Sequence, residues 1–203
     1  MKNLIQSTTA FAMSIACQYI RDDSLVIDAT CGNGHDTLQL AEYLRGESLH
    51  GQIVAIDIQP AAIDSTKALL ESKGSTPQLA SGDIALHRGS HEDLAGAVKD
   101  VLGESRKACL IIFNLGYLPG GDKSVTTETA STIEAVGSAL SILDAGGLVC
   151  ITMYSGHAEG AKEKQALLHF AEELDSREYH VSYISMINQP NDPPEILLIS
   201  RKG

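Results

Sequence analysis

Tryptophan is absent from these 203 residues, and aromatic side chains make up only 4% of them. Stacking platforms for a run of unpaired bases are therefore few. Basic residues are scarce as well: 15 Lys and Arg face 26 Asp and Glu, a formal net charge of −11. Non-specific nucleic-acid affinity comes mostly from Lys and Arg neutralising phosphates, so this balance argues against a protein that coats RNA. It leaves room for one that touches a few nucleotides around a single base. No apolar run approaches the roughly 20 residues of a membrane span. The first residues, Met1-Lys-Asn-Leu-Ile-Gln-Ser-Thr-Thr9, lack the charged start, hydrophobic block and cleavage site of a secretory signal. The four cysteines, Cys17, Cys31, Cys109 and Cys150, show neither metal-ligand spacing nor a disulfide framework. These absences predict a cytoplasmic protein with no membrane partner and no bound metal.

What is present starts with an ordinary globular composition, 43% hydrophobic at a mean hydropathy near zero. The length suits one domain over 1–203, with residues 1–24 as a helical segment packed on it. The most informative stretch is Leu25-Val-Ile-Asp28-Ala-Thr-Cys-Gly32-Asn-Gly34-His-Asp36-Thr37. An apolar run ends in a carboxylate, a glycine turn follows, and Thr37 onward reads as a helix. Gly32 and Gly34 let the backbone turn tightly and approach a ligand, and the helix start offers free N–H groups. A second run, Gln52-Ile-Val-Ala-Ile-Asp57, ends in another acid, as expected where a ribose is held by its hydroxyls. The pair predicts a nucleoside cofactor. A dinucleotide fingerprint would need a third glycine or alanine at Thr37, beneath a pyrophosphate. The shorter turn suits S-adenosylmethionine, whose cationic amino-acid end Asp28 then faces, directly or through water. Asp-x-x-x-Gly-x-Gly resembles motif I of class I methyltransferases, with Thr30 where that family more often has glycine. Cys31, within the turn, reads as a small space-filling side chain rather than a reactive thiol.

Strands and helices alternate along the chain with short turns. Residues 5–20 read as a helix with Phe11, Ile15 and Tyr19 on one face. Strands end at Asp28 and Asp57, a helix begins at Pro60 and closes at Gly74, and a weaker strand covers Ile84–Arg88. Gly89-Ser-His91-Glu92 leads into a helix to about Leu102. Ala108–Phe113 reads as a central strand covered on both faces. A helix over about Thr127–Leu143, a turn at Gly146-Gly147, a strand over Leu148–Tyr154 and a helix over about Glu159–Ser176 follow. The last two strands, Tyr179–Ile187 and Glu195–Ser200, are joined only by Asn188–Pro194. Parallel neighbours need a crossover of about a dozen residues, so this pair should be an antiparallel hairpin. The expected fold is α/β: three layers, Rossmann-like, a seven-stranded mostly parallel sheet with an antiparallel C-terminal hairpin. That is the class I methyltransferase arrangement.

Ligands bind such sheets outside the carboxyl ends of the strands. Those ends carry Asp28 and its turn, Asp57, Ser90 and His91, Asn114, Tyr154-Ser-Gly-His157 and the Asn188–Pro194 loop. Asn114 stands where amino-group methyltransferases carry Asn or Asp, and Asn114-x-x-Tyr117 resembles their Asn-Pro-Pro-Tyr motif, with Leu115-Gly116 in place of the prolines. A side-chain oxygen there accepts hydrogen bonds from an N–H₂ group and aims the nitrogen lone pair at a methyl donor, while the ring packs on the base. The alternative is that Asn114 caps a strand and Gly116–Gly121 form a plain loop. Methyl transfer needs alignment more than acid–base chemistry, yet an aliphatic amine must be neutral to attack. His157, Asp122 and His91 are the candidates for its proton. Lys123 is either a phosphate partner or a solvated loop lysine.

Four segments together resemble one bacterial family: Asp28–Thr37, Asn114-Leu-Gly-Tyr-Leu-Pro-Gly-Gly-Asp-Lys123, Tyr154-Ser-Gly-His157 and Asn188-Gln-Pro-Asn-Asp-Pro-Pro194. The family is that of the MnmM-type tRNA methyltransferases, long labelled rRNA methylases, and the resemblance runs over nearly the whole chain. It implies transfer of a methyl group from S-adenosylmethionine to the aminomethyl substituent of a wobble 2-thiouridine; the expected partner is then a tRNA anticodon arm, and, apart from the resemblance, a homodimer is a further option. By the same resemblance Asp28, Gly32, Gly34, Asp57 and His91 contact the cofactor, joined in the expected set by Thr30, Asn33, Asp36, Thr37, Gln59, Ser90 and Asn114. Asn114, Tyr117 and His157 are the expected catalytic residues. Tyr117, Pro119, Asp122, Lys123, Tyr154, His157, Asn188, Gln189 and Asn191 form the expected acceptor side. Ser14–Cys17 departs from the family pattern, which places a histidine in that region. Ribosomal RNA or a small amine metabolite is the alternative acceptor; a nicotinamide oxidoreductase and a non-catalytic S-adenosylmethionine- or RNA-binding protein are remoter alternatives.

Overall fold

Side chains alternate faces along a strand, and that alternation builds the layers here. In strand β1 (Ser24–Asp28), Leu25 and Ile27 join the core on one side of the sheet and Val26 the core on the other. All three are fully buried. The structure, a computed structural model, describes residues 5–116, 129–156 and 158–203. Its sheet adds β2 (Gly51–Asp57), β3 (Ile84–Arg88), β4 (Ala108–Leu115), β5 (Leu143–Met153), β6 (Tyr179–Ile184) and β7 (Glu195–Arg201). Their spatial order is β3-β2-β1-β4-β5-β7-β6. Only β7 runs against its neighbours, pairing antiparallel with both β5 and β6. The expected fold, closing hairpin included, is the fold observed.

Helices α1 (Thr8–Ala16), α2 (His35–Gly46) and α3 (Pro60–Ser72) bury Ala12, Met13, Leu40 and Leu70 against Val26, Ile53 and Leu110. On the other face α5 (Leu94–Leu102), α6 (Thr129–Ile142) and α7 (Ala158–Glu172) bury Val98, Val136 and Leu167 against Ile27, Val54 and Ile111. Strands that are apolar on both faces need this double cover, as the continuous run of β4 predicts. Among the described residues no helix is long and apolar enough to cross a membrane.

Three local expectations need correcting. The sequence pattern makes residues 5–20 one helix with Phe11, Ile15 and Tyr19 on one face; the structure ends α1 at Ala16, continues Cys17–Tyr19 as a 3-10 turn, and packs those three, half-buried, at the margin of a core led by Ala12, Met13, Ala16 and Cys17. Small alanines bring the helix close to the sheet, which longer side chains would hold away. A short helix, α4 (Thr76–Ser81), fills a stretch the pattern leaves empty. Gly146-Gly147 turns within the span of β5 rather than before it: Leu143 already pairs with Ala108, and the register then jumps to Leu148 opposite Leu110.

Candidate active site

The turn after β1 is fastened to the sheet at several points. The N–H of Ala29 donates to the carbonyl of Ile112 in β4, and that of Cys31 to the carbonyl of Ile56 in β2, both at 2.9 Å. Gly32 is gripped from two sides: its N–H donates to Asp57 Oδ2 at 3.0 Å, and its carbonyl accepts from Thr66 Oγ1 of α3 at 3.0 Å. The other oxygen of Asp57, Oδ1, accepts from the N–H of Gln59 at 2.9 Å, at the start of α3. A carboxylate has about four acceptor positions, so each oxygen keeps one for a ribose hydroxyl. Gly34 caps α2 at φ 83°. A Cβ on it would lie 2.7 Å from Thr66 Cα. Gly34 therefore also keeps α2 close to α3, because any side chain there would run into Thr66.

Asp28 is fully buried beneath the turn. Thr37 Oγ1, itself buried, donates to its Oδ2 at 2.6 Å, and the N–H of Thr30 donates to Oδ1 at 3.3 Å. Burial, and then the negative charge of Asp36, push its carboxyl up to about 7. The expectation of a carboxylate facing the cofactor becomes one acting from below, through the turn that it holds.

Asp36, in the first turn of α2, reaches the end of β4: Asn114 Nδ2 donates to Asp36 Oδ2 at 2.5 Å. The backbone N–H of Asn114 donates to Thr30 Oγ1 at 2.7 Å, so the first and fourth strand ends are locked together. Burial raises the Asp36 carboxyl, opposed by the Asn114 hydrogen bond and the charge of His35. Asp36 and Asn114 both border a cavity of about 10 Å³, lined also by Thr9, Ala12 and Met13 of α1 and by Cys150 and Thr152 of β5. A space of that size holds one water, not a nucleoside. Just past Asn114, the ring of Tyr154 packs over Gly116, within 3.7 Å of where a Cβ would stand there. Burial and Asp36 together raise the Tyr154 hydroxyl.

At the β3 end, His91 sets its ring edge-on to Phe113, with centroids 6.2 Å apart at 77°. Burial lowers its pKa from 6.5, so the ring is neutral at neutral pH. Ser90 is occupied as a cap, accepting from the N–H of Glu92 at 3.3 Å. Asn188, Gln189 and Asn191 are exposed in the β6–β7 loop, where Asn191 adopts φ 65°. That loop borders the β5 end: the Asp192 carbonyl is 3.9 Å from a would-be Cβ on Gly156. Asn33 sits in the half-buried part of the turn. Tyr117, Pro119, Asp122, Lys123 and His157 lie outside the described residues.

Sequence reasoning missed two features. One is Thr66, a buried α3 residue with no motif around it. The other is a polar knot at the base of the β6–β7 loop. There Glu195 accepts from Tyr183 and, at 3.2 Å, from Ser155, and pairs with Lys164. Glu195 directly after Pro193-Pro194, at the start of a strand, was the available signal. Among the described residues, Asp22, Asp23 and His50 are the one group with metal-like spacing. They are exposed and lie at the opposite end of the sheet.

The sheet order, with β7 reversed between β5 and β6, and a glycine turn laid over a buried acid define a class I methyltransferase. The family model described as "Putative rRNA methylase" matches residues 53–200, and the chain belongs to that family. It is similar to a solved putative rRNA methylase of Clostridium thermocellum: 30% identity, TM-score 0.83, 97% of this chain and 98% of the other. A putative methyltransferase of Streptococcus mutans, solved in complex with SAH, is 31% identical at a TM-score of 0.77, covering 97% and 99%. An Arabidopsis thaliana protein named tRNA (mnm(5)s(2)U34)-methyltransferase, chloroplastic, is 33% identical over 188 residues. The match takes in 92% of this chain, and the chain spans about two thirds (66%) of that relative's length.

Proposed function

We propose that this methyltransferase moves a methyl group from S-adenosylmethionine to an amine, the aminomethyl group of 5-aminomethyl-2-thiouridine at the tRNA wobble position. The observation that carries the amine reading is the Asp36–Asn114 pair at the β4 end. With Nδ2 committed to Asp36, the Asn114 amide keeps its oxygen to accept an N–H, and the acid beside it suits a group that arrives as an ammonium. The family supports S-adenosylmethionine as donor, as does the Streptococcus mutans neighbour solved with SAH. The residues fit it: Asp57 retains acceptor positions for a ribose, and the acid Asp28 beneath the turn favours a cationic amino-acid end. Bound there, the cofactor supplies an electrophilic methyl group. The name of the Arabidopsis relative supports the wobble uridine as acceptor.

In this reading Asn114, Tyr117 and His157 surround the amine. Pro119, Asp122, Lys123, Tyr154, Asn188, Gln189 and Asn191 hold the rest of an anticodon-arm nucleotide. Four free, buried cysteines fit a reducing compartment, and we place the protein in the cytoplasm. The net charge of −11 favours a second reading in which the acceptor is a small amine metabolite. Mass spectrometry of nucleosides, from tRNA incubated with the protein and a labelled methyl donor, separates the two. Label on 5-aminomethyl-2-thiouridine supports the first, and tRNA left unlabelled refutes it.

A further inference from the structure

We propose that Asp36 is the catalytic proton acceptor of this reaction, taking from the acceptor amine the proton that blocks its lone pair. The inference rests on the amine reading above and deepens it. Asp36 is among the residues expected to bind cofactor, but the structure turns it toward Asn114. One carboxylate oxygen holds the Asn114 amide; the other, Oδ1, accepts no hydrogen bond from a described residue. An N–H held by the Asn114 oxygen thus has a carboxylate oxygen beside it. Asp36 also lines, with Thr9 and Thr152, the cavity with room for one water.

The other acids and the histidine of the described site are committed elsewhere. Asp28 is sealed under the turn, with Thr37 and Thr30 on its two oxygens. Asp57 spans the amides of Gly32 and Gln59. His91 lies against Phe113 at the β3 end.

An ammonium loses one proton to Asp36. Its freed lone pair forms the N–C bond as the carbon–sulfur bond breaks, and the products are the methylated ammonium and S-adenosylhomocysteine. The groups facing Asp36 are Asp28 from β1, Cys17 after α1, Cys150 and Tyr154 from the β5 side, and His35 on its own helix. Except for His35, each either is an anion or holds its proton more tightly because of the Asp36 charge. In such surroundings a carboxylate is a stronger base than at a surface.

The test is D36N, whose amide oxygen can still accept from Asn114, measured in single turnover from pH 6 to 9 on tRNA carrying the free aminomethyl group. Affinity for S-adenosylhomocysteine should match wild type. Turnover at neutral pH should fall about 10²- to 10⁴-fold, the usual range for a lost general base. The deficit should shrink by about tenfold per pH unit toward the free amine's pKa, roughly 10.4 if it resembles a lysine side chain. A D36N rate like wild type, a deficit constant across pH, or a loss matched by weakened cofactor binding overturns the role of Asp36 alone. Wild-type protein that leaves the tRNA unmethylated takes down the acceptor reading and this inference together.

Discussion

Gly34→Ala and Gly82→Ala should differ sharply in stability although the two glycines have nearly the same backbone. Gly34 sits at φ 83° and Gly82 at φ 85°. An alanine in the left-handed region costs roughly 1–2 kcal/mol, of which about 0.4–1 is returned by the stiffer unfolded chain. Gly82 faces open space, so nothing further is lost there. At Gly34 the new methyl would meet Thr66 Cα at 2.7 Å and Thr66 Oγ1 at 3.0 Å. A backbone carbon of a fully buried helical residue cannot rotate away, so α2 and α3 must part, an overpacking cost of about 1–3 kcal/mol. G82A should therefore lose about 1 kcal/mol and G34A roughly 2–4 kcal/mol. For a chain of this size each kcal/mol is about 2–4 °C, so thermal unfolding should place G82A about 2–4 °C below wild type and G34A about 5–15 °C below. Urea denaturation with an unchanged slope checks that the comparison concerns the folded state. Equal shifts for the two variants would show that Gly34 is required for its φ alone, and the packing argument would fail.

Gly34 also illustrates how far the sequence could be read. That a glycine is needed after β1 follows from the turn, but which neighbour forbids a side chain depends on where α3 lands, and no local pattern carries that. The sheet was legible because its strands are apolar runs that stop at Asp28, Asp57 and Asn114. The hairpin was legible because Asn188–Pro194 is too short for a crossover. α4 was not: Thr76-Pro-Gln-Leu-Ala-Ser81 has a good start and no apolar period. The acids split in the same way. Their presence at strand ends was readable, but the direction of each carboxylate was not. Asp28 turns under because Thr37, in the first turn of α2, meets it. Asp36 and Asn114 stand 78 residues apart, and only the parallel pairing of β1 with β4 makes them partners.

The two remaining predictions concern the acids at the first two strand ends. Asp57→Ala removes the acceptor of the Gly32 and Gln59 amides and of a ribose; losing a charge-assisted hydrogen bond costs about 1.5–3 kcal/mol, so affinity for S-adenosylhomocysteine should fall about 10- to 100-fold. Titration calorimetry measures it, and unchanged affinity would mean that the ribose is held elsewhere. For Asp28 the prediction is a pH dependence. Its folded carboxyl is raised to about 7 from an ordinary 3.8, so the native state holds the proton more tightly than the unfolded chain. Stability from this group is therefore complete below about pH 4 and is lost as pH rises through about 7, at a slope of up to about 1.4 kcal/mol per unit. The amide of Asp28→Asn can still accept from Thr37 but does not titrate, so the wild type should lose more stability than D28N between pH 4 and 7. Asp36 is raised in the same sense and Glu195 lowered in the opposite one, so the difference between the two proteins is the quantity to follow. Urea unfolding at pH 4, 5.5 and 7 gives it, and parallel curves would mean that Asp28 is already charged in the folded protein, with a partner that burial alone does not supply.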